Sequence, residues 1–301
     1  DALPIFKNLL DVTGLIEELD VSSAPFATKE QLLRIHPEYY LKEFKRLSDA
    51  NGGELGRRTP FASGGYELSA LSAGLSIAAV KSVIDGTHEN AYALSRPPGH
   101  HCLPDFPNGF CLLANIAIAI ETAQVTCPNL KVAVLDWDVH HGNGTEAIFY
   151  NRNDVLTISL HQEGNYPLDT GKIKDRGEGS GEGFNINLPL PAGAGHTAYL
   201  HALKQVAIPA IENFSPDLII VACGYDASAI DPMARMLATA KTFKQMTQQI
   251  KDLSKRICRG KLVLVHEGGY SEAYVPFCGH ATIQALSGSA ITAPDPFEET
   301  F

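Results

Sequence analysis

The sequence predicts an α/β protein built on a largely parallel β-sheet covered by helices on both faces. Two observations lead there. Four short β-rich runs, Val132–Leu135, Val155–Leu160, Leu218–Ala222 and Leu262–Val265, recur at wide spacing with helical patterns between and around them. The chemically unusual residues fall just past the carboxyl ends of these runs, where open parallel sheets bind their ligands.

In chain order, Tyr66–Ile84 carries apolar residues at helical spacing, and Leu112–Ala123, rich in Ala and Ile, reads as a buried helix. The run Val132–Leu135 then delivers Asp136, Asp138 and His140 at alternate positions. Alternate residues of an extended chain share a face, so two carboxylates and an imidazole converge where the strand ends. HHGNG, residues 140–144, is punctuated by glycine and reads as a loop. The stretch Asp169–Gly183, rich in Gly and charge, reads as a long surface loop bordering a pocket. Thr197–Asn213 and Thr242–Arg256 are amphipathic helices. Asp226 follows the third β-run in VACGYDAS, and Glu267 and Tyr270 follow the fourth in HEGGY.

Composition bounds the rest. The 301 residues are 45% hydrophobic, with no linker or internal repeat, so a single domain over residues 1–301 is expected. Lys and Arg number 24 against 34 Asp and Glu, a net charge of −10, which argues against a nucleic-acid partner and suits either a cationic substrate or simple solubility. The six cysteines show no CxxC spacing and mostly sit in apolar runs. They read as buried free thiols in a reducing compartment, and a cytoplasmic location is expected. No apolar stretch is read as approaching the roughly 20 residues of a membrane span, and no signal peptide is read at the start.

Dense carboxylate and histidine at a strand end is destabilising unless a cation compensates it, and a divalent metal is the simplest one. Asp138, His140 and Asp226 are the candidate ligands: catalytic zinc usually keeps three protein ligands and an open position. A DxH pair alone is more often an ion pair or a capped turn; the Asp after another strand is what strengthens it. Asp136 is either a further ligand or a partner that orients a histidine.

The loop RPPGHH, Arg96–His101, presents His100 and His101 as an acid/base pair on a proline-stiffened backbone. Asp136 and Asn143 are their candidate partners. A carboxylate behind one imidazole raises its basicity and an amide behind the other leaves it nearer neutral, which separates electrostatic support from proton transfer. Gly268 and Gly269 permit a tight turn that brings the Tyr270 phenol over a reacting carbonyl, as an oxyanion donor. Phe110 and Tyr166 are candidate walls of a narrow channel, although single aromatics in loops are usually core. His36 and His161 read as structural histidines. No GxSxG elbow, P-loop or strand-following GxGxxG is present, which removes the common serine-hydrolase, NTPase and dinucleotide readings.

RPPGHH, NGFC, DWDVHHGNGT, SLHQ, GYDASAIDP and HEGGYSEAY, in this order and spacing, resemble the zinc-dependent histone deacetylase superfamily, and most closely its bacterial class II members, the histone deacetylase-like amidohydrolases. The resemblance runs from about Phe6 to Phe301. It implies a three-layer αβα arginase/deacetylase-like fold and hydrolysis of an acylated amine, typically N-ε-acetyl-lysine in a peptide or protein. It also implies zinc on Asp138, His140 and Asp226, His101 as general base and acid, His100 as its electrostatic neighbour, and Tyr270 on the oxyanion. By the same resemblance Gly109, Phe110, Tyr166, Met233 and Gly268 line the substrate channel. A structural potassium ion would sit on Asp136, Asp138, His140, Ser159 and Leu160. Asn143 after HHG and Glu267 before GGY fit class II.

Two details bear on substrate. Two-metal arginase relatives place a second Asp where this sequence has Ser228, so one metal is expected. Polyamine-selective relatives often carry an acidic residue after the Asp-Pro step, whereas Met233 follows Asp231 and Pro232 here, which favours acyl-lysine or neutral acyl-amides. Deacetylation of a polyamine or another small amide is the alternative; an arginase-like ureohydrolase and a non-catalytic acyl-lysine reader are further rivals. Relatives usually begin with a strand upstream of Phe6 and often run beyond Phe301, and both segments are expected to be missing. Glu54 is the candidate rim residue for the substrate backbone, and a homodimer or tetramer is the expected assembly.

Overall fold

The computed structural model describes residues 2–297. Residue 1 and residues 298–301, which the expected domain includes, lie outside the described residues. Six parallel strands form the central sheet: β3 (Asn90–Ala93), β4 (Val132–Asp136), β5 (Val155–Gln162), β6 (Asn185–Leu190), β7 (Leu218–Cys223) and β8 (Leu262–His266), in the order β3-β8-β7-β4-β5-β6. Helices α1 (Ala2–Thr13), α2 (Lys29–Leu32) and α3 (Glu38–Ala50) precede in the chain a small antiparallel hairpin, β1 (Gly52–Glu54) and β2 (Pro60–Ala62), which is separate from that sheet.

The alternation of side chains along the strands builds the layers. Ala133 and Leu135 of β4, Ile219 and Val221 of β7, and Leu262 and Leu264 of β8 face one apolar core. That core is closed by α7 (His196–Ala202), α8 (Ile208–Phe214), α9 (Ala240–Cys258) and α10 (Val275–Ser287). Val132 and Val134, Leu218 and Ile220, and Val263 and Val265 face the other, closed by α4 (Gly65–Ile84) and α5 (Asn115–Thr126). Strands buried on both faces read as continuous apolar runs, which is why the four interior strands were legible. Within this sheet the two strands not anticipated, β3 and β6, are its edges. Both are only partly buried, and β6 carries Pro189, whose missing N–H an edge position tolerates.

Helix boundaries differ from expectation at three places. The helix expected at Leu112 starts at Asn115, because Ala114 is held out of helical geometry and its amide donates to His36 Nε2 at 3.0 Å. The helix expected over 197–213 is interrupted by a π-turn, Leu203–Ala207, just before Pro209, which has no N–H for the regular ladder. The loop expected at 140–144 ends early: α6 (Asn143–Phe149) begins at Asn143. One composition reading is corrected. Helix α4 has 20 residues and is apolar enough to cross a membrane by length and composition, but half of its apolar window is buried against the rest of the fold. It approaches the 25–27 segment so closely that a Cβ on Gly74 would lie 2.0 Å from the Pro25 carbonyl oxygen.

Candidate active site

The carboxyl ends of β4, β7 and β8 lie side by side, since Asp136 pairs in register with Ala222 and Cys223 with His266. The loops leaving these ends carry Asp138 and His140, Asp226, and Glu267 through Tyr270. Their donor atoms converge: those of Asp138, His140 and Asp226 all lie within 4.8 Å of one another, and all three residues are buried. His140 Nδ1 is 3.1 Å from Asp138 Oδ1 and 3.0 Å from Asp226 Oδ2. Backbone amides fix the carboxylates, Gly268 donating to Asp138 Oδ2 at 2.7 Å and Val139 to Asp226 Oδ1 at 2.8 Å.

This group is electrostatically incomplete without a cation. Burial, then the Asp138 charge, pushes the Asp226 carboxyl up to about 7. Burial would depress His140, but hydrogen bonds to Asp138 and Asp226 outweigh it and raise it to about 10. Two buried carboxylates beside one imidazole thus form a site whose negative charge a divalent ion would compensate. Two carboxylates and one imidazole are a donor set suited to zinc. Ser228, in place of a second Asp, is buried with no hydrogen-bond partner for its hydroxyl, and offers no carboxylate for a second ion. A second close group, His100, Cys111 and Glu267, is otherwise engaged. Glu267 Oε2 accepts the Gly99 and His100 amides at 2.7 and 3.1 Å, and Cys111 Sγ accepts the His101 amide.

The tandem histidines stack at 4.0 Å between ring centroids, yet their environments differ. His100 Nδ1 donates to Asp136 Oδ2 at 2.9 Å. Burial works against its charge, but Asp138 and Asp136 prevail and raise it well above the ordinary histidine value. His101 Nδ1 meets Asn143 Oδ1 at 2.8 Å. Burial, then the neighbouring His100 and His140, holds it well below that value. The two environments thus bias His100 toward its charged form and His101 toward its neutral form.

Above them lies a cavity of about 170 Å³ lined by His101, His140, Gly109, Phe110, Tyr166, Met233 and Tyr270, joined at its mouth by Arg57, Arg58, Asn165 and Leu168. Tyr166 stands edge-on to His101, and its hydroxyl donates to Asn108 Oδ1. Tyr270 is positioned through its backbone, whose amide donates to Asp231 Oδ2 at 2.7 Å. Burial foremost, then Asp226 and Asp138, keeps its phenol protonated far above the ordinary tyrosine value.

Two expected residues are elsewhere. Gly268 does not line the cavity; it lies beneath the ligands, where a Cβ would meet Asp226 Oδ2 at 2.2 Å, so glycine is required for close approach rather than for a channel wall. Glu54 is not at the mouth either: its carboxylate turns back to accept the Thr59 amide within its own hairpin. Arg57 and Arg58 were missed, and the only signal was a doubly basic pair in an acidic sequence.

The sequence matches the histone deacetylase domain family over residues 3–286. It is 55% identical over 293 residues to the histone deacetylase-like amidohydrolase of Pseudomonas aeruginosa, covering 97% of this chain and 77% of that protein. It is 37% identical over 290 residues to a probable deacetylase of Archaeoglobus fulgidus, covering 94% and 80% respectively. Among solved structures, the HDA15 HD domain superposes with a TM-score of 0.89 at 32% identity, covering 97% of this chain and 85% of that one.

Proposed function

The chain belongs to the histone deacetylase family, and from that membership we propose that it is a zinc-dependent deacylase of N-ε-acyl-lysine side chains in peptides or proteins. The observation that carries the reading is the convergence of Asp138, His140 and Asp226 below a neutral His101, at the floor of a narrow cavity. Those three residues would hold the zinc, which when bound supplies a Lewis acid for the acyl carbonyl and the attacking water.

The chain's own groups do the rest. His101 Nε2 takes the proton of the attacking water and returns it to the departing amine. Asn143 fixes the tautomer that leaves Nε2 open. The His100 cation, fixed by Asp136, stands beside His101 and disfavours its protonation until negative charge develops on the substrate. The protonated Tyr270 phenol donates to the developing oxyanion. Phe110 and Tyr166 enclose an apolar stem and limit water around it.

Asp231 supports lysine over polyamine. Its carboxylate is turned inward, accepting the amides of Met233, Tyr270 and Ser271, and Met233 presents an apolar, 40% exposed side chain at the mouth. A distant ammonium finds no acid there. Of the five residues implied for potassium, Asp136 and Ser159 border a small cavity of about 10 Å³, whereas Asp138, His140 and Leu160 do not line it. The testing experiment compares an acetyl-lysine peptide with N-acetylated spermidine as substrates of the zinc-loaded protein. Faster turnover of the peptide supports the reading; selective turnover of the polyamine overturns it in favour of a small-molecule deacetylase.

A further inference from the structure

The mouth of the cavity carries charge of one sign. Among the described residues Arg57 and Arg58 are the only Arg, Lys, Asp or Glu that line it. This is unusual placement for a chain of net charge −10. Among the described residues neither arginine takes part in an ion pair, so neither charge is neutralised by the protein.

The backbone holds this pair in place. Arg57 N donates to Pro107 O at 3.1 Å, Gly109 N to Arg57 O at 3.0 Å, and Phe110 N to Arg58 O at 2.9 Å. The turn after β1 is thereby strapped to the loop that forms the channel wall. Arg58 and Phe110, the two residues joined by the last bond, both adopt left-handed geometry, with φ of 56° and 67°. Such geometry disfavours a non-glycine side chain and persists where surrounding contacts enforce it. The Arg58 guanidinium lies 5.4 Å from the centre of the Tyr166 ring, the same ring that stands 5.2 Å from His101 and 6.2 Å from His140. One aromatic thickness thus links the rim cation to the reaction floor.

We propose that Arg57 and Arg58 form an anion subsite that selects acyl-amine substrates bearing a carboxylate next to the acylated side chain. The proposal rests on the deacylase reading and narrows its substrate class. An acyl-lysine stem threaded past Phe110 and Tyr166 leaves its backbone and neighbouring groups at the mouth, beside two guanidiniums whose fork suits a carboxylate. Low-dielectric walls strengthen that attraction, and a flanking lysine is repelled by the same charges. The carboxylate comes either from a flanking Asp or Glu or from the substrate's own free carboxyl group.

The test uses the zinc-loaded full chain and end-blocked acetyl-lysine peptides flanked by Glu, Ala or Lys. N-ε-acetyl-lysine and its carboxamide form a second, small-molecule arm. The expected order of kcat/KM is Glu above Ala above Lys, expressed in KM, with roughly a fivefold step between neighbours that shrinks in high salt. In the double variant Arg57→Gln/Arg58→Gln the Glu-to-Lys ratio falls to about one, and Arg58→Lys retains part of it. A preference confined to the peptide arm assigns the subsite to a flanking side chain; one confined to free acetyl-lysine over its carboxamide assigns it to the substrate's own carboxyl group. Equal rates for all flanks together with equal rates for acetyl-lysine and its carboxamide in the unmodified protein, or a preference that survives the double variant, overturns the proposal. Fluorescence anisotropy of the Glu and Lys peptides on the metal-free protein is the second readout. If no peptide turns over, the deacylase reading fails, while a Glu preference in binding that the double variant abolishes still upholds the subsite.

Discussion

His101 Nδ1 meets the Asn143 side-chain oxygen at 2.8 Å, while the adjacent His100 Nδ1 meets an Asp136 carboxylate at 2.9 Å. Two stacked imidazoles thus face different partners, an amide oxygen and a carboxylate, the difference on which the proposed split between base and cation depends. Asn143→Asp puts a carboxylate behind His101 and raises its pKa. A base must be neutral to act, so the acidic limb of the kcat/KM profile moves to higher pH. Activity falls most at the acidic end of the profile while that at the basic end is largely kept. A pH–rate profile that does not move removes His101 from the base role.

Tyr270→Phe removes the phenol without disturbing the backbone that Asp231 holds. The lost donor belongs to the transition state, so kcat falls roughly 10²- to 10³-fold with little change in KM. Steady-state kinetics on an acetyl-lysine peptide decide it, and normal turnover refutes the assignment.

On the proposed reading, a site without zinc leaves two buried carboxylates beside His140 with no cation to compensate them. Chelation should abolish turnover and lower the melting temperature by roughly 5–10 °C, both restored by zinc. Asp226→Ala should lose the metal by elemental analysis and show no zinc-dependent rise in melting temperature. If it keeps one zinc per chain and full activity, Asp226 is not a ligand.

The parts of the site legible in the sequence are those set by local geometry. Period-two spacing alone puts Asp136, Asp138 and His140 on one face, and the runs before Asp226 and Glu267 are fully buried strands. The partners of the histidines were legible too, because few polar residues compete for them. The edge strands β3 and β6 were not, since half-buried edges lack a continuous apolar run. Arg57 and Arg58 reach the mouth only through bonds to Pro107, Gly109 and Phe110, about 50 residues away, and no local pattern encodes that strap. Gly268 was expected in a tight turn and in the channel wall, whereas it instead approaches a pair of carboxylates from two other strands, which no local pattern encodes.

His36 was expected to be structural, and its environment makes that testable. Its Nδ1 donates to the Pro104 carbonyl at 2.7 Å and its Nε2 accepts the Ala114 amide at 3.0 Å, so the neutral ring ties the 29–36 segment to the start of α5. Burial depresses its pKa to about 4, only partly offset by the Pro104 bond. The unfolded chain protonates this group near pH 6.5, so the unfolded state binds more protons between pH 6.5 and 4. Stability therefore falls as pH drops through that window, by up to about 1.4 kcal/mol per pH unit for this one group, and levels off below it. His36→Gln removes the titration and should lose that share of the slope, though it is less stable at pH 7 for want of the two ring bonds. Urea unfolding of both proteins at pH 7.0, 5.5 and 4.5 measures the difference, and parallel slopes would show that His36 is not buried as a neutral ring.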